Sequence, residues 1–251
     1  LKGSAGSDES ICFDPRSAAE CGSQIGRLAV DARSMESAAS RLVRLLRTTL
    51  RDSRTGEPVC ALVRCFKTHA YRDLPPSLQA HVRQTAGRDA NPAGDLRCLT
   101  LLATAGQERQ WNDRRLSAGH QAIPLLSVEM VQNAPMIAGL IQQMGLDIEE
   151  LLEPDLNFPL YADKRTFGAF HVEEALESPQ LPAQDFVQKY GIRSVVGFGS
   201  LLSPGELVAV ILFSKAKLTP EKAQAVSSLA LKVKLLFLPF RNRGQIFEPV
   251  G

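Results

Sequence analysis

Polar and apolar positions along this chain recur with two different periods. After Ser34, residues Met35, Ala39, Leu42, Leu46 and Thr49 return at alternating steps of four and three. That spacing predicts one face of a helix running to about Leu50, with Ser34 or Ser37 as its N-cap. Residues 59–66, VCALVRCF, alternate instead. Cys60, Leu62, Arg64 and Phe66 share one face of a strand, and Val59, Ala61, Val63 and Cys65 share the other. Two apolar faces interrupted by a single Arg predict a central strand covered on both sides. Residues 96–105, LRCLTLLATA, predict a second strand antiparallel to the first.

The remaining blocks are shorter. Helices are expected at 17–28 (capped by Ser17), at 77–84, from Ser127 to Met144 with a break at Pro135, at 148–152, and at 183–190, where Gly191 stops the last. A short extended segment is expected at 119–125, loops at 88–95 and 156–166, and a third strand at 167–172 (FGAFHV). Runs 192–198 and 207–213 then flank the turn Ser203-Pro204-Gly205-Glu206 and predict a hairpin. Thr219 and Pro220 open a final helix. Its stripe, Ala223, Val226, Ala230, Val233 and Phe237, steps by three and four like a heptad seam, and Pro239 is expected to end it. The order predicts an α+β fold: an antiparallel sheet of about five to six strands, flanked by helices, with long N- and C-terminal helices.

Composition changes this picture little. Of 251 residues, 44% are hydrophobic, enough for a sizeable core, and the net charge of +2 makes no case for a nucleic-acid or membrane partner. Arg41, Arg44, Arg47, Arg51 and Arg54 fall at helical spacing and read as a solvated face. No run approaches the roughly 18–20 apolar residues of a membrane span; residues 229–240 are too few and contain Lys232 and Lys234. Residues 1–33 read as an extension whose first seven residues are a linker remnant, 34–240 as one domain, and 241–251 as a tail or linker. Five cysteines (Cys12, Cys21, Cys60, Cys65, Cys98), an odd number with no C-x-x-C, suggest a reducing cytoplasm.

Residues 170–202, FHVEEALESPQLPAQDFVQKYGIRSVVGFGSLL, followed by GELVAVILFS and a trailing helix, resemble a GAF-type sensor domain from about residue 35 to 240. Gly191-Ile192-Arg193-Ser194-Val195 and Gly205-Glu206-Leu207 carry the likeness. The segments between the first two strands and around 126–165 are longer than in compact GAF domains. The resemblance implies a GAF/PAS-like fold and a cytoplasmic sensory module that is not itself an enzyme. Such a module binds a small molecule or a partner. It relays the signal through terminal helices, packed across a homodimer, to an output domain of a signalling system such as a two-component system.

A GAF-like pocket lies between sheet and connecting segments, so the expected lining groups are Arg64, Trp111, His120, Phe170, His171, Tyr190, Arg193 and Ser194. Arg offers a rigid donor fork and the aromatics offer stacking surface. Plain packing of Trp111 on the sheet edge, or pairing of Arg193 with Asp185, are the competing readings. His69, His81, His120 and His171 form no H-x-x-x-H pair. A lone axial His keeps a haem-binding gas or redox sensor open as an alternative, with the cofactor otherwise unknown. The free methionine sulfoxide reductases, which use cysteines of a GAF domain, provide a second alternative, a cysteine-dependent redox enzyme or sensor. Here the cysteines stand outside that motif context, no electropositive group flanks them consistently, and Cys60, Cys65 and Cys98 read as small core residues. No G-x-S-x-G, Walker A or GxGxxG pattern occurs.

Overall fold

Two long strands with apolar residues on both faces set the plane of the molecule. They are β1 (Cys60–Ala70) and β6 (Glu206–Ser214), paired antiparallel at the centre of a six-stranded sheet ordered β3-β2-β1-β6-β5-β4. The others are β2 (Arg97–Gly106), β3 (Ala122–Pro124), β4 (Phe170–Val172) and β5 (Ser194–Ser203), and every pairing is antiparallel. The computed structural model describes residues 11, 13–87, 92–154, 169–203 and 205–248. Cys12, Pro204, the expected loop at 156–166, the start of the FGAFHV strand and part of the 88–95 loop lie outside them.

Each face of the sheet carries its own helical layer. One is built from α1 (Pro15–Arg27), α2 (Met35–Thr49), α8 (Pro220–Ser227) and α9 (Ala230–Asn242), packed on Val63, Cys65, Val208, Val210 and Leu212. The other holds α4 (Val128–Gln132), α5 (Pro135–Gln143), α6 (Ile148–Leu152) and α7 (Gln184–Tyr190), over Leu62, Phe66, Ala209, Ile211 and Phe213. A further helix, α3 (Pro76–Ala86), packs Leu78 and Val82 with Cys98. Ser34 caps α2 in a capping box with Ser37, as its position before the apolar stripe implies. Pro135 separates α4 from α5, and Gly191 ends α7 at φ 62°, a left-handed conformation suited to Gly.

Several expectations need correction. Asp14, not Ser17, caps α1: its carboxylate accepts from the Ser17 backbone N–H, and Pro15 occupies the first turn. Cys60 does not share the face of Leu62 and Arg64, because the β1–β6 register slips between Cys60 and Leu62 and turns Cys60 to the α2 side. The long terminal helices are not seen. The trailing one breaks at Ser228–Leu229 into α8 and α9, and α9 continues past Pro239 to Asn242. Of the stripes expected to meet a second copy, Met35–Thr49 and Ala223–Phe237, all but the half-buried Thr49 are buried inside the chain on the sheet. Together 220–242 are long and apolar enough for a membrane span, but 50% of that window is buried as core.

The chain after α9 turns back over α2. Gln245 and Ile246 carbonyls accept the backbone N–H groups of Met35 and Glu36 at 2.8 Å each. Ser34 Oγ donates to Glu248 at 2.7 Å, and Arg114 clasps Glu36 through Nε and Nη2 at 2.6 and 2.9 Å. Phe247 stacks on His69, centroids 5.1 Å apart. His69 is buried with both ring nitrogens unpartnered. Burial first, then the charges of Lys67, Arg114 and Arg97, hold its pKa well below 6.5, against the opposing pull of the Lys67 backbone carbonyl.

Two outcomes follow from this packing. A Cβ on Gly199 would meet the Val208 carbonyl oxygen and, at 2.9 Å, Ala209 Cα, which are backbone atoms; on Gly197 it would meet the Leu140 methyl at 2.7 Å. Gly199→Ala is expected to cost about 3 kcal/mol in denaturant unfolding and Gly197→Ala about 1 kcal/mol, within the usual overpacking range; equal losses would contradict the assignment. For His69, a base with a depressed folded pKa is protonated first in the unfolded chain. Its contribution is therefore held above about pH 6.5 and lost as pH falls below it. The drop in melting temperature from pH 7.5 to 5.5 should be smaller in His69→Phe than in the native chain.

Candidate functional site

The sheet face opposite α2 is not filled to the same depth along its length. Between it and the starts of α5 and α7 lies a cavity of about 390 Å³. Leu62, Arg64 and Phe66 of β1 and Ala209, Ile211 and Phe213 of β6 form its floor. These are alternate residues of neighbouring strands, so they project from one face. Met136, Ile137 and Leu140 of α5 and Leu181, Phe186 and Val187 from the α7 region form its roof. Among the described residues, Arg64 and His120 are the two titratable groups in this wall.

Arg64 is half-buried. Its Nη2 donates to Ser117 Oγ at a long 3.4 Å, while Nε is buried without a partner. Burial lowers the Arg64 pKa, yet a guanidinium keeps its charge at any physiological pH. Thr104 stands opposite Arg64 across the β1–β2 ladder, and its hydroxyl is also buried and unpartnered. His120 sits at the mouth. Its Nδ1 lies 3.0 Å from the Ala118 carbonyl, which can only accept. Nδ1 therefore carries the proton, and Nε2 of the neutral ring is an acceptor. Desolvation, followed by the charge of Arg64, holds the His120 pKa below 6.5, so neutral pH favours this neutral form.

Trp111, Phe186 and Tyr190 form an aromatic cluster beside the cavity. Trp111 is 4.5 Å from Tyr190 and 5.7 Å from Phe186, and Phe186 meets Phe213 edge-on at 5.3 Å. Gly106 permits the close seat of Trp111, since a Cβ there would approach the indole to 2.6 Å. Asn112 holds the same turn by bonding the Gly106 N–H and carbonyl, each at 3.1 Å.

Of the eight residues singled out in the sequence, then, Arg64 and His120 reach the cavity wall, with Trp111 and Tyr190 one layer behind. The other four do not reach it. Phe170 is core, its ring against Gly139 and Gly197. His171 bonds through Nε2 to the Leu218 carbonyl at 2.8 Å. Ser194 is buried, donating to Ala216 and accepting from the Leu218 N–H, so it ties the start of β5 to the segment before α8. Arg193 is exposed, and its backbone joins Ser214 and Ala175. Phe186 and the α5 residues were missed. The alternation Leu207, Ala209, Ile211, Phe213 on β6 would have marked the cavity face, but only together with knowledge that the trailing helix covers the other.

The chain is similar in structure to the free methionine-R-sulfoxide reductase of Neisseria meningitidis, solved in complex with its substrate. The TM-score is 0.50 and the identity 12%, over 97% of this chain and 98% of that one. The fold is GAF-like. No protein-family model and no curated protein matches the chain. At this identity the likeness is one of fold. It nevertheless corrects the expectation of a sensory relay without enzymatic activity: the matching architecture is that of an enzyme, nearer to the cysteine-dependent alternative than to a signalling domain.

The described cysteines do not place a thiol at the cavity. Cys21, Cys60 and Cys65 are buried in the layer of α1, α2, α8 and α9, and Cys98 lies under α3. Desolvation raises all four thiol pKa values, to about 12 for Cys60 and Cys98. These groups are protonated and inert at neutral pH. Iodoacetamide at pH 8 is expected to leave Cys21, Cys60, Cys65 and Cys98 unmodified in the native chain and to alkylate them all in denaturant. Peptide mapping that shows rapid native labelling of any one would restore it as a reactive thiol.

Proposed function

We propose that this chain binds and acts on a small, mainly apolar molecule in the cavity between the sheet and helices α5 and α7. The observation that carries this reading is the cavity itself, about 390 Å³ and apolar except for Arg64 and His120. That volume and lining fall within the range of small-molecule sites, roughly 300–1,000 Å³. In this reading Arg64 fixes the polar end of the molecule, and the free Nε2 of His120 is the proton acceptor at the mouth. Catalytic use is supported by the architecture shared with a reductase and by the neutral state that His120 favours. The same likeness favours a second reading, thiol-dependent reduction of a small sulfoxide, which needs a thiolate at the cavity that none of the four described cysteines supplies. Turnover of free methionine-R-sulfoxide with dithiothreitol would decide for that second reading, and absence of turnover against it.

A neutral, environment-sensitive dye such as N-phenyl-1-naphthylamine tests the main reading. It is expected to bind at one saturable site and to alter Trp111 emission, because the cavity residue Phe186 touches that ring. Ala183, exposed at the rim, provides the control: Ala183→Trp should weaken the dye at least tenfold, about 1.4 kcal/mol. Binding that Ala183→Trp leaves unchanged would place the dye elsewhere and contradict the reading.

A further inference from the structure

We propose that the molecule taken by this cavity is a small carboxylate with an apolar body, of the aliphatic or aryl-alkanoic acid class, bound in its ionised form. This rests on the reading of the cavity as the functional site. The charge balance of the wall points to this. Arg64 is its permanent cation, and among the described residues no Asp or Glu lines the cavity. The side chain has one long hydrogen bond, to the neutral Ser117 hydroxyl, and its Nε is buried and unpartnered. Directly across the β1–β2 ladder, the Thr104 hydroxyl is buried and unpartnered too. Cross-strand neighbours in this register have Cβ atoms roughly 5 Å apart. Two buried polar groups on adjacent strands, the Arg64 Nε and the Thr104 hydroxyl, thus lack a partner, and of the two residues Arg64 lines the cavity.

A half-buried charge held by one long hydrogen bond is poorly compensated, and a carboxylate satisfies a guanidinium through a planar pair of charge-assisted bonds. A neutral ligand would leave the guanidinium uncompensated, and an ammonium would add a like charge. A bare inorganic anion would leave Leu62, Phe66, Ile211 and Phe213 uncovered. An anionic head on an apolar body satisfies both parts of the wall. The small volume favours short chains or one aromatic ring.

Displacement of the neutral dye by octanoate, octan-1-ol and octylamine tests the assignment on the native chain. Octanoate is expected to bind at least tenfold more tightly than either of the others. In Arg64→Met octanoate should lose at least tenfold while octanol holds or gains, and Arg64→Lys should recover part of the loss. Equal affinities for octanoate and octanol in the native chain would overturn the carboxylate assignment while dye binding leaves the cavity reading intact. That comparison stands even if Arg64→Met fails to fold. Octanoate binding unchanged in a folded Arg64→Met also overturns it. Absence of dye binding to the native chain would overturn the cavity reading and this inference together.

Discussion

The pairing of β1 with β6 governs the rest of the structure. Both strands are central, so both faces must be covered, and side-chain alternation sorts every residue to one layer or the other. Val63 and Cys65 on β1 and Val208, Val210 and Leu212 on β6 go to the layer of α2, α8 and α9. Leu62 and Phe66 on β1 and Ala209, Ile211 and Phe213 on β6 go to the other layer. One slip in register, between Cys60 and Leu62, moves a thiol out of the layer that holds the cavity. A different register there would present another set of side chains to any bound molecule.

The two layers carry out different work. The α2 side is closed: its helices bury Met35, Leu42, Leu46, Val226, Val233 and Phe237 on the sheet, and the tail at 245–248 ties it down. The opposite side is roofed by short helices whose ends leave space. That division is what puts the proposed site on one face. An Arg on the closed face would have been buried among aliphatic side chains. On the open face Arg64 meets a cavity, with His120 at the mouth and Phe186 in the wall, backed by Trp111 and Tyr190. Buried, unpaired Nε of Arg64 and Oγ1 of Thr104 are a cost to folding. Such a cost is characteristic of a site whose partner arrives from outside.

What was legible in the sequence followed from strict periodicity. The α2 stripe, the hairpin of β5 and β6, and the break at Pro135 are local signals, and each element forms where its pattern places it; the alternation of β1 holds from Leu62 to Phe66 but fails at Cys60 and Ala61, where the register slips. Arg64 stood out for a physical reason, as the one charge in the otherwise apolar run 59–66. What failed was set by long-range geometry. The stripe at 223–237 has the spacing of a dimer seam, but the same spacing suits a helix lying on its own sheet, and the structure uses it so. His171 and Ser194 look available in one dimension, while folding brings them to the backbone of residues 216–218, which takes up their bonding groups. The cavity roof is assembled from residues 134–140 and 181–187, segments far apart in sequence whose meeting no local pattern announces.

The account makes one central claim, that the cavity is the site and Arg64 its polar anchor. A crystal structure of the chain with octanoate tests this most directly. Electron density for the ligand is expected between the sheet and α5, with its carboxylate within hydrogen-bonding distance of the Arg64 guanidinium. A ligand bound with its carboxylate toward solvent and away from Arg64, or found outside the cavity altogether, would contradict it.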